Sequence, residues 1–279
     1  MFWQKSAHLL IRLALVTTLV IPGVARSETI EMALAAYSEG NYTGALEILQ
    51  RLAQNGEAHA QYNLGAMYDT GSGVEEDNET AVRWYAAAAE QGLSSAAFNL
   101  GNMYREGHGV DRNYDQAARW YRVAATKGDA SAQYNLGAMY ENGFGIERNI
   151  EVAIEWYGKA AEQGLVHAQH RLGTLYNEGE SVDRDRVVAY TWLNRAAIQG
   201  YHPAKMDLSA LEGDIAELRR FINGSNVNLR AEPSTQATVV NRLSRGQSVL
   251  ALAVQDDWVE VNVIGVSPQR GWVHQSLLK

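Results

Sequence analysis

Ala96-Ala97-Phe98-Asn99-Leu100-Gly101-Asn102-Met103-Tyr104, continuing through Trp120-Tyr121 to Gly128, is a phrase this chain says four times. Gly65, Gly101, Gly137 and Gly173 stand 36 residues apart without insertion or deletion, and so do Trp84, Trp120, Trp156 and Trp192. The same step joins Leu64, Leu100, Leu136 and Leu172, then Tyr68, Tyr104, Tyr140 and Tyr176, and finally Gly92, Gly128, Gly164 and Gly200. A fixed period of about 20 to 50 residues marks an architecture of stacked units, each burying its apolar face on the next.

Each copy reads as two helices. In the first, Ala60, Leu64 and Tyr68 fall at i, i+4 and i+8 and form one buried stripe, with Gly65 beside it. Gly71 and Gly73 permit the chain to leave that helix. The second helix opens at Asp77, Asn113, Asn149 or Asp185, each able to cap a free backbone N–H. It continues with Ala81, Trp84, Tyr85 and Ala88 on one face and ends at Gly92 or its equivalents.

Glycine inside a helix costs roughly 1 kcal/mol against alanine, so a repeated helical glycine needs an offsetting gain. The expected gain is close approach of the bulky Trp84-Tyr85 pair and its counterparts, since each large aromatic buries on the order of 150–250 Å². The fourth copy departs from the pattern, with Trp192-Leu193 in place of the aromatic pair and Ser181 where Gly73 has its equivalents, so its loop is expected to differ.

The pattern Ala-x-x-x-Leu-Gly-x-x-Tyr-x-x-Gly-x-Gly-Val, followed by Asx-x-x-x-Ala-x-x-Trp-Tyr-x-x-Ala-Ala-x-x-Gly, resembles the Sel-1-like repeat, a longer-looped relative of the tetratricopeptide repeat. The resemblance covers residues 58–200, as copies at about 58–93, 94–129, 130–165 and 166–201. It implies a mainly α fold, an α/α superhelical solenoid that acts as a scaffold for other proteins. Residues 28–57 form a shorter hairpin, with Met32, Ala35 and Tyr37 before Gly40-Asn41 and then Ala45, Leu46, Leu49 and Leu52, and resemble an ordinary tetratricopeptide repeat capping the N-terminal end. Residues 202–222 begin in phase, Ala204 and Leu208 lying 36 beyond Ala168 and Leu172, and read as a C-terminal helical cap broken at Gly213.

From Asn223 the material changes to short β-rich runs separated by turn residues. Val227-Asn228-Leu229-Arg230-Ala231-Glu232-Pro233, Leu243-Ser244-Arg245-Gly246-Gln247-Ser248-Val249, Trp258-Val259-Glu260-Val261 and Gly271-Trp272-Val273 resemble a bacterial SH3-like domain, a small all-β barrel over residues 223–279. Such domains in exported proteins imply binding to peptide or cell wall, which makes peptidoglycan a candidate partner. On this barrel Trp258, beside Asp256-Asp257, is the candidate ligand-facing aromatic, and Trp272 is expected in the core.

Residues 1–27 read as a secretory signal, with Lys5, an apolar run from Leu13 to Ile21 and small residues at Gly23, Ala25 and Ser27. Cleavage after Ala25 or Ser27 leaves a periplasmic or secreted chain with no membrane span; retention as an anchor is the alternative. The chain has no cysteine, which excludes disulfides, thiolate metal sites and a cysteine nucleophile. Its net charge is −8, and residues 28–220 carry 28 acidic against 16 basic side chains. Such a surface repels phosphate backbones, so nucleic acid is not an expected ligand.

No Gly-x-Ser-x-Gly elbow, zinc-binding His-Glu-x-x-His or phosphate-binding Gly-rich loop is present, and no catalytic residue, metal or cofactor is assigned. His167 and His170 are spaced for a shared metal, but no third ligand is nominated. A series of first-helix positions draws more interest: Tyr62, Phe98, Tyr134 and His170 recur two residues before the buried leucine, and Asn63, Asn99, Asn135 and Arg171 one before it. Two places along a helix is roughly 200°, so the aromatic series is expected to face away from its hairpin's interior. These eight residues are candidates for a peptide-binding groove, or else pack on the adjacent repeat. The leading functional reading is an exported, non-catalytic adaptor for a protein or peptide partner, and the alternative is a cell-wall-associated hydrolase or its activator.

Overall fold

The computed structural model describes residues 29–264 and 269–279, so the secretory signal expected over residues 1–27 lies outside the described part. The described residues form two compact units, one up to residue 123 and the other from residue 124 on. The first holds α1 (Ile30–Ser38), α2 (Tyr42–Gln54), α3 (Ala58–Thr70), α4 (Asn78–Glu90), α5 (Ser94–Glu106) and most of α6 (Tyr114–Thr126). The second holds α7 (Ala130–Asn142), α8 (Ile150–Glu162), α9 (Val166–Glu178), α10 (Arg186–Ile198), α11 (His202–Ile215) and six strands. Each unit is built of the helical hairpins of a repeat solenoid, the second ends in a small antiparallel sheet, and among the described residues no helix is long and apolar enough to cross a membrane.

Local chemistry sets the hairpins. The side chains of Asp77, Asn113 and Asn149 each accept from a backbone N–H three residues on at 3.0 Å, and Asp185 accepts from both Val187 and Val188. Those four capping residues also donate their own N–H to the carbonyls of Tyr68, Tyr104, Tyr140 and Tyr176, which closes every intra-repeat loop in the same way. The fourth loop therefore shares this closure despite Ser181. In the second copy the loop presses on the preceding hairpin: a Cβ at Gly109 would lie 2.2 Å from the Asn78 carbonyl carbon, and its φ of +66° is in any case a glycine conformation.

The four glycines that recur in the first helices each approach one large side chain of the second. A Cβ placed on Gly65, Gly101 or Gly137 would sit 2.8–2.9 Å from a ring carbon of Tyr85, Tyr121 or Tyr157, and on Gly173 it would sit 2.6 Å from Leu193 Cγ. Those three tyrosines and Leu193 are at most 1% exposed. The tyrosine, not the Trp-Tyr pair expected from sequence, is the partner of the glycine. Trp84, Trp120, Trp156 and Trp192 are half-buried one position away. The reason is angular: adjacent helical residues diverge by about 100°, so only one of two neighbours can point across the hairpin.

A buried amide ladder joins successive hairpins. Gln61, Gln133 and Gln169, 4–7% exposed, donate to the carbonyls of Ala53, Ala125 and Ala161 on the preceding helix at 3.0–3.2 Å. Each also accepts at 2.7 Å from a glutamine 30 residues later, Gln91, Gln163 or Gln199. The second copy has Ala97 and Lys127 at these positions and lacks the pair.

In the second unit α11 runs through Gly213 to Ile215, where a break had been expected, and the chain enters the sheet before residue 223. The strands are β1 (Arg219–Phe221), β2 (Val227–Arg230), β3 (Val239–Leu243), β4 (Ser248–Gln255), β5 (Trp258–Val263) and β6 (Arg270–His274), in the antiparallel order β1-β4-β5-β6-β2-β3. Residues 219–221, read from sequence as part of the helical cap, form an edge strand paired with Val249 and its neighbours. Ile222, Leu229, Val249, Val261 and Val273 fill the barrel. The last helices are closed by α11 and by the barrel together: Leu250 joins a cluster with Tyr190, Leu193, Leu211 and Ile215, and the Asn262 amide donates to Thr191 Oγ1 at 2.7 Å.

Two glycines of one hairpin separate close approach from propensity. Gly137→Ala should destabilise the protein by about 2 kcal/mol, because overpacking the Tyr157 ring outweighs the gain in helix propensity. Gly158→Ala, on α8 with nothing within 4 Å of the new methyl, should instead stabilise by about 0.5–1 kcal/mol. Urea denaturation of both variants decides it, and equal effects would remove the steric argument.

Candidate functional site

The first helices carry the candidate residues, and the structure revises where they point. Tyr62 and Tyr85 have ring centroids 5.8 Å apart, Phe98 and Tyr121 6.0 Å, and Tyr134 and Tyr157 5.4 Å. The aromatic series thus leans on its own hairpin's buried tyrosine rather than facing away from it. Tyr62 is three residues before Gly65, on the same side of the helix, so its ring covers the tyrosine that fills the glycine gap. Each of Tyr62, Phe98 and Tyr134 is half-buried and keeps one side toward solvent.

The series one position later serves structure more than surface. Asn63 donates to the His59 carbonyl at 2.7 Å within its own helix, and Asn135 is 8% exposed. In the first unit the Tyr85 hydroxyl donates to Asp69 Oδ2 at 3.2 Å, and Asn99 from α5 lies near the same hydroxyl. In the second unit the Tyr157 hydroxyl donates to Glu141 Oε2 at 2.6 Å, while Arg171 from α9 clamps both Glu141 oxygens and donates to Thr174 Oγ1. His170 Nε2 pairs with Asp207 Oδ2 at 2.7 Å and its ring meets Tyr201 edge-on, as does the exposed His167. Arg171 and His170 are committed to internal partners, which sequence spacing alone did not disclose.

Asp69 and Glu141 are equivalent positions with opposite electrostatics. Burial raises the Asp69 carboxyl above its ordinary range, and the Tyr85 hydrogen bond offsets only part of that. Burial also pushes Glu141 up, but hydrogen bonds from Arg171 and Tyr157 and the Arg171 charge outweigh it and hold the carboxyl below its ordinary value. The deciding difference lies 30 residues on in each case, neutral Asn99 for one and cationic Arg171 for the other.

On the barrel, β5 alternates Trp258, Glu260 and Asn262 outward with Val259, Val261 and Val263 inward. Trp258 stands on the outer face, edge-on to His274 at 5.5 Å. Trp272, expected in the core, is also on the outer face, paired across strands with Glu260, while Gly271 and Val273 point inward. Glycine at 271 is required there: a Cβ would lie 2.7 Å from the Arg230 carbonyl oxygen.

Comparison with known proteins follows these geometries. The Sel1 repeat model matches residues 58–93, 94–129, 130–165 and 166–201, and the bacterial SH3 domain model matches 225–279. A Sel1 repeat protein of Oxalobacter formigenes is 32% identical over 68% of this chain and 75% of its own, with a TM-score of 0.63. The protein c5321, described as a protective antigen of uropathogenic Escherichia coli with this repeat fold, is 32% identical with a TM-score of 0.63, over 67% of this chain and 41% of its own. A search among curated proteins finds no match.

Removing the clamp tests the charge argument. Arg171→Ala leaves Glu141 buried beside a hydroxyl and should cost about 1–2 kcal/mol at pH 7. The native Glu141 pKa is depressed, so its contribution is present above the unfolded carboxylate range and lost as pH falls through the lower folded value. The destabilisation should therefore shrink in urea titrations at pH 4 and below, and a pH-independent difference would contradict the assignment.

Proposed function

Because the chain belongs to the Sel1 repeat family and carries a bacterial SH3 domain after its repeats, we propose that it is an exported, non-catalytic adaptor that holds a protein or peptide partner on its repeats and addresses the cell wall or a second peptide through its barrel. Repeats of this family are protein-interaction scaffolds, and SH3 domains of this bacterial type bind peptide or cell wall. The observation that carries the reading is the set of pinned aromatics. Tyr62 and Phe98 in the first unit, and Tyr134 in the second, are held against buried rings and offer a fixed face. Rigid aromatic surface of this kind binds a partner with little entropic loss. Trp258 supplies the corresponding surface on the barrel. The signal-like residues 1–27 and the likeness to a protective antigen support a place outside the cytoplasm.

The structure also redirects mutagenesis. Asn99, Asn135, His170 and Arg171 have internal partners or burial, so their substitution tests stability before binding. Phe98→Ser in the full chain should lower partner recovery from envelope extract about tenfold while the melting temperature falls by only a few degrees, because the ring is half-exposed. Trp258→Ala should reduce co-sedimentation with murein sacculi and leave partner recovery unchanged. Undiminished recovery with Phe98→Ser, or recovery of the native chain solely from cytoplasm, would contradict the proposal.

A further inference from the structure

The four repeated tryptophans are alike in position and unlike in cover. Lys159 Nζ lies 4.0 Å above the Trp156 ring and the Arg195 guanidinium 4.8 Å above that of Trp192, both from three residues on. Arg119 lies 5.5 Å from the Trp120 ring, from the residue before it. At Trp84 both devices are missing among the described residues. The residue three on is Ala87, and Arg83, the counterpart of Arg119, is turned to donate to Thr80 Oγ1 at 2.6 Å. The uncovered indole opens onto a cavity of about 500 Å³ between α2, α3 and α4.

That cavity has a definite chemistry. It is lined by Gln50 and Gln54 of α2, by Tyr68 and the fully buried Leu64 of α3, and by Thr80, Arg83 and Trp84 of α4. Among the described residues no acidic side chain lines it; the carboxylate of Asp77 accepts from Thr80 Oγ1 at 2.5 Å and is drawn to the Arg83 charge from outside the lining. Arg83 is exposed and, among the described residues, in no ion pair; its guanidinium can accept a carboxylate in a bidentate bond. The glutamine amides can each donate to and accept from a backbone peptide group. The volume is within the range of about 300–1,000 Å³ usual for ligand sites.

We propose that this pocket receives the free C-terminus of a partner peptide, with the α-carboxylate on Arg83, the last side chain, apolar, on Trp84 and Tyr68, and the final peptide groups on Gln50 and Gln54. The site lies apart from the pinned aromatics of the first helices and does not depend on them. In the other repeats the protein's own cation covers the indole; in the first, the ligand's terminal side chain does so.

The test uses the full chain and decapeptides ending in Phe or Leu, each made as the free acid and as the C-terminal amide, with binding read by fluorescence anisotropy. At least one free acid should bind, and its amide should bind about tenfold more weakly. Arg83→Gln should cost the acid about tenfold and leave the amide unchanged. Ala87→Leu, which fills the space beside Trp84 without adding charge, should reduce binding of acid and amide at least about tenfold without lowering the melting temperature. Acid and amide of equal affinity, no free acid binding, native affinity in Ala87→Leu, or displacement by N-acetylglucosamine oligomers would each overturn the assignment.

Discussion

One steric relation underlies the repeats: a helix without a side chain at one position lets the ring on the facing helix approach its backbone closely. Gly65 with Tyr85, Gly101 with Tyr121 and Gly137 with Tyr157 are the same contact made three times, and Gly173 with Leu193 is its aliphatic version. The loss of helix propensity, roughly 1 kcal/mol per glycine, is small beside the gain from burying an aromatic ring completely. The closeness of the two helices also sets what surrounds them. A ring lying on the backbone brings its hydroxyl out at the far edge, where Asp69, Asn102 or Glu141 accepts it at 2.6–3.2 Å. It also gives the residue three before the glycine something to lean on.

Two kinds of joint then link one hairpin to the next. The buried glutamine ladder satisfies carbonyls at the end of the preceding helix, and an unpaired amide in that position would cost about 1–3 kcal/mol. The second joint runs between first helices and varies in charge, from Tyr85-Asp69-Asn99 to Tyr157-Glu141-Arg171. The spine is uniform, while the polar joints and the cover over each tryptophan differ from repeat to repeat.

Period, helix boundaries, capping residues and the existence of a β module were legible because each follows from local chemistry that recurs in register: an Asx before every second helix, a glycine after every first. The partner of the glycine was not, since Trp84 and Tyr85 are equally bulky neighbours and only the crossing of the two helices selects one. The angle from Leu64 turns Tyr62 and its counterparts Phe98 and Tyr134 away from the hairpin, whereas the angle from Gly65, three residues on, sets them beside the buried ring. The Gln61-Gln91 and Glu141-Arg171 pairs sit 30 residues apart, one repeat less six, a spacing that a search at 36 passes over. The two barrel tryptophans could not be sorted from composition, because strand alternation in β5 and β6 puts both on the outer face.

The central claim assigns the joint to the tyrosine and only a covering role to its tryptophan neighbour. Equilibrium unfolding of Tyr157→Ala and Trp156→Ala, measured side by side, compares the two most directly. Tyr157→Ala should lose about 3–5 kcal/mol, as for a fully buried aromatic, and Trp156→Ala, half-exposed beneath Lys159, should lose less than half as much. Equal losses, or a greater one for Trp156→Ala, would contradict it.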